Sequence, residues 1–538
     1  LIEHDVVVVG SGATGAMASQ TLVERGRHVT LLDVGRRDLV YADKVPDQAF
    51  VRLRRDDLAQ DRYLLGDGFE SVSSLGVKVG AQLTPPRRFV IDDVARLLPV
   101  RSDNFLPLES LAFGGLASAW GLACAVFSQV ELQRASLDGH EMRDAYQVVA
   151  DRIGISGAAD EARPYTFADL ENVQPALPID PTAARLLHAF ERRRAGLVAR
   201  GFRVGRPALA LLSEPKGARR ASRLDEMEFY SDHGHSAWRA WLVIEQLTAA
   251  RRLTYIPERL AVRFEEDATG IVICAVDTVT GSIERRRCRT LVLAAGALGT
   301  GRIAIRSQSD PHVRLPFLCS PYTYIPCVVA GKLGDAMPER NVALSQLAMF
   351  YDPSGTQSDV TMGQVYTYRS LLLFRLLRDI PLPVREARRF LQFLLPAFVI
   401  AGVFHAHAND AGSSIWLEPM GDSPTGDRLR IDFRLTPGES TLVASRDRLF
   451  ARLLRRLGAF PIKKVDPGFG SSIHYAGTLP ISAHERPLTT ARDGRLHGTR
   501  RVFVADGSGL TYLPAKGLTL SLMARAHVVA QHAAQVGS

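Results

Sequence analysis

Gly10-Ser11-Gly12-Ala13-Thr14-Gly15 stands between an almost continuously β-branched run at 5–9 (DVVVV) and a helically periodic stretch from Thr14 to Glu24. This order of strand, glycine turn and helix constrains the fold more than any other feature of the chain. The first glycine permits a tight turn, the second lets the backbone approach a pyrophosphate, and the third lets helix and strand pack closely. The helix N-terminus adds amide donors and positive potential. Gly26 ends the helix, HVTLLD at 28–33 supplies a second strand, and Asp33 follows Gly10 by 23 residues, where a carboxylate can accept ribose hydroxyls. A strand without polar alternation is buried on both faces. The opening therefore predicts a parallel βαβ unit that binds a dinucleotide.

Two further segments read as strands of the same parallel sheet: LVLAAGALGT at 291–300, running into a glycine turn, and VFVADGS at 502–508, followed by a helical run from about Leu518 to Gln535. At 538 residues the chain is too long for one compact core. The expected fold class is α/β, a Rossmann-type dinucleotide-binding domain built from discontinuous segments (1–165, 245–310 and 465–538) with an inserted α+β substrate-binding domain (166–244 and 311–464). No internal repeat is visible. The charged fraction of 23% is ordinary for a globular protein. The net charge of +9 is spread without a run of five or six like charges, which predicts a solvated basic surface and no nucleic-acid partner. Cys124, Cys274, Cys288, Cys319 and Cys327 match neither a zinc pattern nor a disulfide framework and are expected to be reduced. With the glycine motif within ten residues of the first, no signal peptide is expected and a cytoplasmic location follows.

The glycine motif alone does not separate NAD from FAD. LAAGALGT at 293–300 and VFVADGS at 502–508 would be unexplained in a simple nicotinamide enzyme, whereas a flavin is longer and needs holding by elements that return to the sheet. These segments resemble those of the glucose–methanol–choline oxidoreductases, a family that uses FAD. A third block, FGGLASAWGLACAVF from Phe113 to Phe127, is similar to that of the pyranose-oxidase-like branch, with Trp120 in place of the usual Asn. That branch often carries a flavin-linked histidine just before this Trp. Here the position is Ala119, so FAD is expected to be non-covalent. The motif and the resemblance together place cofactor contacts at Gly10, Gly12, Ala13, Thr14, Gly15, Asp33, Gly114, Gly115, Ser118, Ala119, Val262, Ala295, Gly296, Asp506, Gly507, Leu518 and Thr519.

Removing a hydride from an alcohol carbon needs a base near the hydroxyl proton. His474, in SSIHYAGTLPI from Ser471 to Ile481, resembles the family's active-site histidine, which precedes a Gly-Thr by a few residues. The family usually adds a second His or Asn in its final segment, here LPAKGLTLSLMARA from Leu513 to Ala526, and Gly517 occupies that place. Lys516 is one candidate to supply the missing hydrogen bond. The other readings are that His474 acts alone or that alcohol oxidation has been lost. Backbone amides near Leu518 and Thr519, at a helix start, could stabilise negative charge on the reduced ring.

The resemblance implies an FAD-dependent dehydrogenase or oxidase acting on an alcohol, with a secondary alcohol of a sugar or glycoside as candidate and an unassigned electron acceptor. The alternatives are a non-redox flavoprotein lyase using His474 for acid–base chemistry and a membrane-associated protein with a degenerate site. His405 and His407 alternate in FHAHAND and would share one face of a strand, where they line the substrate cleft or cap the strand; no third ligand stands at metal-binding spacing, so no metal is expected. The most apolar stretch, Ser370 to Phe404, is split by Pro381 and Pro383 into two short helical patterns punctuated by Arg375, Arg378, Arg385, Arg388 and Arg389. Its run from Phe390 to Phe404 is 15 residues, too short to span a bilayer. A basic amphipathic hairpin in contact with a membrane surface fits it, as does a buried helical pair or a dimer contact.

Overall fold

The computed structural model describes residues 3–64, 66–68, 85–224, 232–310, 312–336, 344–367 and 380–536. Glu3–Val9 pairs in parallel with Val29–Leu32 on one side and with residues 287–293 of Ile283–Leu293 on the other. Val502–Val504 adds in parallel beyond Leu291–Leu293, and Leu253–Ile256 extends the opposite edge beside Val29–Leu32. The remaining strands, Arg259–Glu266 and Ile271–Asp277, form an antiparallel meander with the first half of Ile283–Leu293.

The unbroken valine run has a direct cause. Val6 and Val8 pack into one hydrophobic cluster with helices Ala13–Glu24, Gly139–Ile153, Ala240–Ala249 and Thr519–Gln535. Val7 and Val9 point the other way, into a second cluster that holds Leu298 and Ile303 of helix Gly296–Arg306. With both faces covered, the strand is apolar from Val6 to Val9, and its polar residues Glu3, His4 and Asp5 fall at the less buried start.

A second sheet of six strands is antiparallel throughout, in the order Phe460–Pro461, Tyr322–Val328, Phe398–Phe404, Thr361–Thr367, Ser345–Tyr351, Phe202–Gly205. Val365, Val399, Ala401 and Val403 face helices Pro181–Glu191 and Pro437–Leu457 through a third cluster. The alternate residues Met362, Gln364, Tyr366 and Phe404 face a cavity between this sheet and the nucleotide-binding sheet.

The apolar stretch after Pro383 departs from the helical expectation. Val384–Leu394 is helical, but a short turn at Leu395–Ala397 hands over to strand Phe398–Phe404, which lies inside the six-stranded sheet. A fully buried strand and a buried helix carry the same apolar run, and the β-branched Val399, Ile400 and Val403 suit the strand. The helix buries Ala387 and Leu391 on the protein, while Val384, Phe390 and Phe393 remain exposed beside exposed Arg385, Arg388 and Arg389. Arg375 and Arg378 lie outside the described residues. No described helix is long and apolar enough to cross a membrane.

Candidate active site

The strand end at Val9 delivers the chain into the glycine turn. Gly10 sits at φ +99°, and a Cβ there would lie 2.6 Å from the Ala294 carbonyl oxygen. A Cβ at Gly12 would meet nothing within 4 Å, because this backbone borders the cavity. Ser11 links two walls of the site: its hydroxyl donates to the Asp33 carboxylate and accepts from the Gly114 amide at 2.8 Å. Tyr255 also reaches Asp33, at 3.5 Å. Burial pushes the Asp33 carboxyl up to about 7, with Ser11 and the Val34 amide opposing the shift. Ribose hydroxyls would add further donors to this carboxylate and favour its ionised form. The opposite wall carries Asp506, which accepts from Thr300 Oγ1 at 2.5 Å and from the Ser508 amide and hydroxyl at 2.9 and 2.6 Å. Burial raises this carboxyl too, and the Ser508 and Thr300 donors oppose it.

These groups line one cavity of about 440 Å³ that continues from Asp33 and Gly12 to His474. Of the anticipated cofactor contacts, Gly10, Gly12, Ala13, Thr14, Asp33, Gly115, Ala119, Ala295, Gly296, Asp506, Gly507, Leu518 and Thr519 form its wall, and His474 shares it. Four do not. Gly15 is a packing glycine whose Cβ would lie 1.8 Å from the Gly10 carbonyl oxygen. Gly114 and Ser118 stand one layer behind Gly115, with the Ser118 hydroxyl donating to the Phe113 carbonyl at 2.6 Å. Val262 is replaced on the wall by Leu260 and Ala261, because a register shift between Ala261 and Arg263 turns the strand there.

The chain fits FAD at this place on structural grounds. A backbone cradle with no side chain, an N-terminus of a 12-residue helix and a buried carboxylate meet at one end. A second buried carboxylate and a glycine stand farther along. Gly10–Thr14 and Asp33 would hold the nucleotide, and Ala295, Gly296, Asp506 and Gly507 the middle of the molecule. Leu518 and Thr519, whose first-turn amides have no side-chain cap, would meet the ring.

His474 is half-buried, and its Nδ1, enclosed by protein, has no hydrogen-bond partner among the described residues. Desolvation lowers its pKa to about 4, so the imidazole is neutral at pH 7. Its ring stacks on Phe404 with centroids 5.1 Å apart and planes at 22°.

Lys516 does not serve beside it. Its ammonium turns away from the cavity and donates to Glu131 at 2.7 Å, Gln357 at 2.7 Å and the Val126 carbonyl at 3.1 Å. Gly517 does line the cavity, and a Cβ there would stand 3.2 Å from the Ala123 carbonyl oxygen. His405 and His407 lie past the end of strand Phe398–Phe404 and off the cavity wall. His405 bonds Asp447 at 3.0 Å, and His407 Nδ1 accepts from the Cys319 amide at 3.3 Å. Among the described residues no group of three His, Cys, Asp or Glu could hold a metal.

Ser11, Tyr255, Gln364, Tyr366 and Phe404 escaped the sequence reading. The alternation Met362, Gln364, Tyr366 in TMGQVYT was the available signal for the last wall.

No protein-family model matches the chain. The chain is 25% identical to a 6'''-hydroxyparomomycin C oxidase of Streptomyces lividus over 99% of its length and 93% of that protein. It is also 25% identical to a paromamine 6'-oxidase of Streptomyces fradiae, over 97% of its length and 90% of the relative. Its fold is similar to that of a pyridoxine 4-oxidase from Mesorbium loti, with a TM-score of 0.57 at 15% identity and 98% of each chain covered. An FAD-dependent oxidoreductase from Chaetomium thermophilum matches with a TM-score of 0.60 at 12% identity, over 98% of each chain. A formate oxidase of Aspergillus oryzae matches with the same score and identity, over 99% of this chain and 98% of that one.

Proposed function

We infer that the chain is a glucose–methanol–choline oxidoreductase, an FAD-dependent enzyme that oxidises an alcohol carbon, with a hydroxylated ring of the sugar or glycoside type as substrate. The observation that carries this reading is the neutral imidazole of His474 on the wall that also carries the nucleotide cradle. FAD, when bound, supplies the hydride acceptor.

The residues of this chain do the rest. His474 accepts the hydroxyl proton at Nε2, its Nδ1 being enclosed by protein, and it is unprotonated at neutral pH and so ready to do so. Phe404 holds the ring plane by stacking, so the acceptor nitrogen does not rotate out of line. Met362, Phe404 and Ile473 keep water from the reacting carbon. Ala119 offers no atom for covalent attachment, which supports dissociable FAD. Five buried, unpaired cysteines support a reducing compartment, and we place the protein in the cytoplasm. Exposed Arg385, Arg388, Arg389, Phe390 and Phe393 support peripheral contact with an anionic lipid surface, which flotation with anionic liposomes checks.

The test of the reaction is anaerobic mixing of the yellow holoprotein with a panel of methyl glycosides, glucosamine and simple alcohols. Bleaching of the flavin band by a ring substrate is expected. His474→Ala should keep its flavin and bleach about 10²–10⁴ times more slowly. A variant that bleaches at the parent rate excludes His474 as the base, and a parent that no alcohol bleaches excludes the reaction.

A further inference from the structure

The wall beside His474 and Phe404 carries a polar pair that neither the cofactor cradle nor the proton transfer uses. Strand Thr361–Thr367 lies antiparallel to Phe398–Phe404 with Met362 opposite Phe404 and Gln364 opposite Gly402. Met362, Gln364 and Tyr366 therefore follow one another on the cavity face, Gln364 about 7 Å along the strand from the Met362–Phe404 pair. Gly402 makes room here: a Cβ on it would stand 2.6 Å from the hydroxyl of Tyr322, whose ring packs on Phe404 at 4.6 Å.

The Tyr366 hydroxyl donates to the Gln364 side-chain carbonyl, and both residues line the cavity. That bond consumes one donor and one acceptor. The Gln364 amide nitrogen makes no hydrogen bond to any described residue, and the lone pairs of the Tyr366 oxygen are likewise uncommitted. Turning the amide over exchanges the roles without changing the outcome, since the pair then offers a phenol donor and an amide acceptor. In either arrangement the two side chains present one donor and one acceptor side by side. A hydroxyl, which both donates and accepts, is the group that satisfies them together.

We propose that Gln364 and Tyr366 form a subsite that binds a second hydroxyl of the substrate while His474 engages the reacting one. The proposal rests on the alcohol-oxidation reading and sharpens it: the substrate carries two hydroxyls about a sugar ring apart, and its second hydroxyl fixes the orientation that Gly517 leaves unsupported. Burial of the amide makes the contact selective, because an analogue lacking that hydroxyl leaves a buried donor without a partner.

The experiment is a residue–substrate cycle on the holoprotein, comparing anaerobic flavin bleaching by a methyl glycoside and by its mono-deoxy analogues. In the parent, one deoxy position should lower the second-order rate by about 5- to 100-fold. Gln364→Leu, Gln364→Glu and Tyr366→Phe should each shrink that ratio toward one, with flavin content unchanged as the check on folding. Variants that keep the full ratio, or that slow parent and analogue substrates by one common factor, overturn the subsite and leave the reaction intact. Absence of bleaching in the parent by every glycoside overturns the reaction itself and the subsite with it.

Discussion

A histidine base must be unprotonated before it can work, and His474 meets that condition because its burial is not offset by any anion. On the proposed reaction its neutral form is the active one, so kcat/KM should hold level as pH falls through 6.5 and decline only near pH 4. A stopped-flow pH profile reads this directly, and an acid limb at pH 6.5 would mean that His474 is solvated during catalysis. Asp33 has the opposite sign. Its carboxyl titrates near 7, and hydroxyl donors from a ribose favour the ionised form. Cofactor binding should then release a proton, and FAD affinity for apoprotein should weaken as pH drops below about 7. Asp33→Asn should weaken binding and flatten that dependence in a fluorescence titration. Their places on the cavity wall were legible, Asp33 from its spacing after Gly10 and His474 from the resemblance of the segment that runs into Gly477-Thr478. Gln364 and Tyr366 were not, since their meaning depends on which strand lies opposite, and no local spacing records that.

At the level of elements, the segment before the last helix is locked by one buried ion pair. Lys516 and Glu131 expose 0% and 3% of their side chains, and Glu131 also completes the capping box of helix Gln129–Arg134 with Ser128. Lys516→Met strands a carboxylate in the interior and should cost about 3–5 kcal/mol in urea unfolding. Adding Glu131→Gln should recover part of that loss; no recovery would show that Lys516 acts through packing alone. Lys516 was misread because position beside Gly517 says nothing about the direction of a long side chain. Phe398–Phe404 was misread for a related reason: an apolar run reports burial, and only the neighbouring strands decide between helix and sheet. The opening βαβ unit escaped this ambiguity because glycine, helix period and terminal carboxylate agree there.

For the whole molecule, the cofactor wall is assembled from residues near 10–34, 109–123, 294–306 and 506–522. A ligand gripped by such distant segments stabilises the entire chain. Apoprotein at a free FAD concentration one hundred times Kd should gain about 2.7 kcal/mol, seen as a concentration-dependent rise in Tm. Acid precipitation should leave the yellow colour in the supernatant, and colour retained in the pellet would mean a covalent link that Ala119 does not supply.

The pairing of Glu3–Val9 with residues 287–293 has a consequence during synthesis. The first strand leaves the ribosome with four bare valines and waits for its partner while nearly three hundred further residues are translated, about 15–60 s at ordinary elongation speeds. Over that interval the nascent chain displays an adhesive edge, so extra holdase chaperone in the expressing cell should raise the soluble yield.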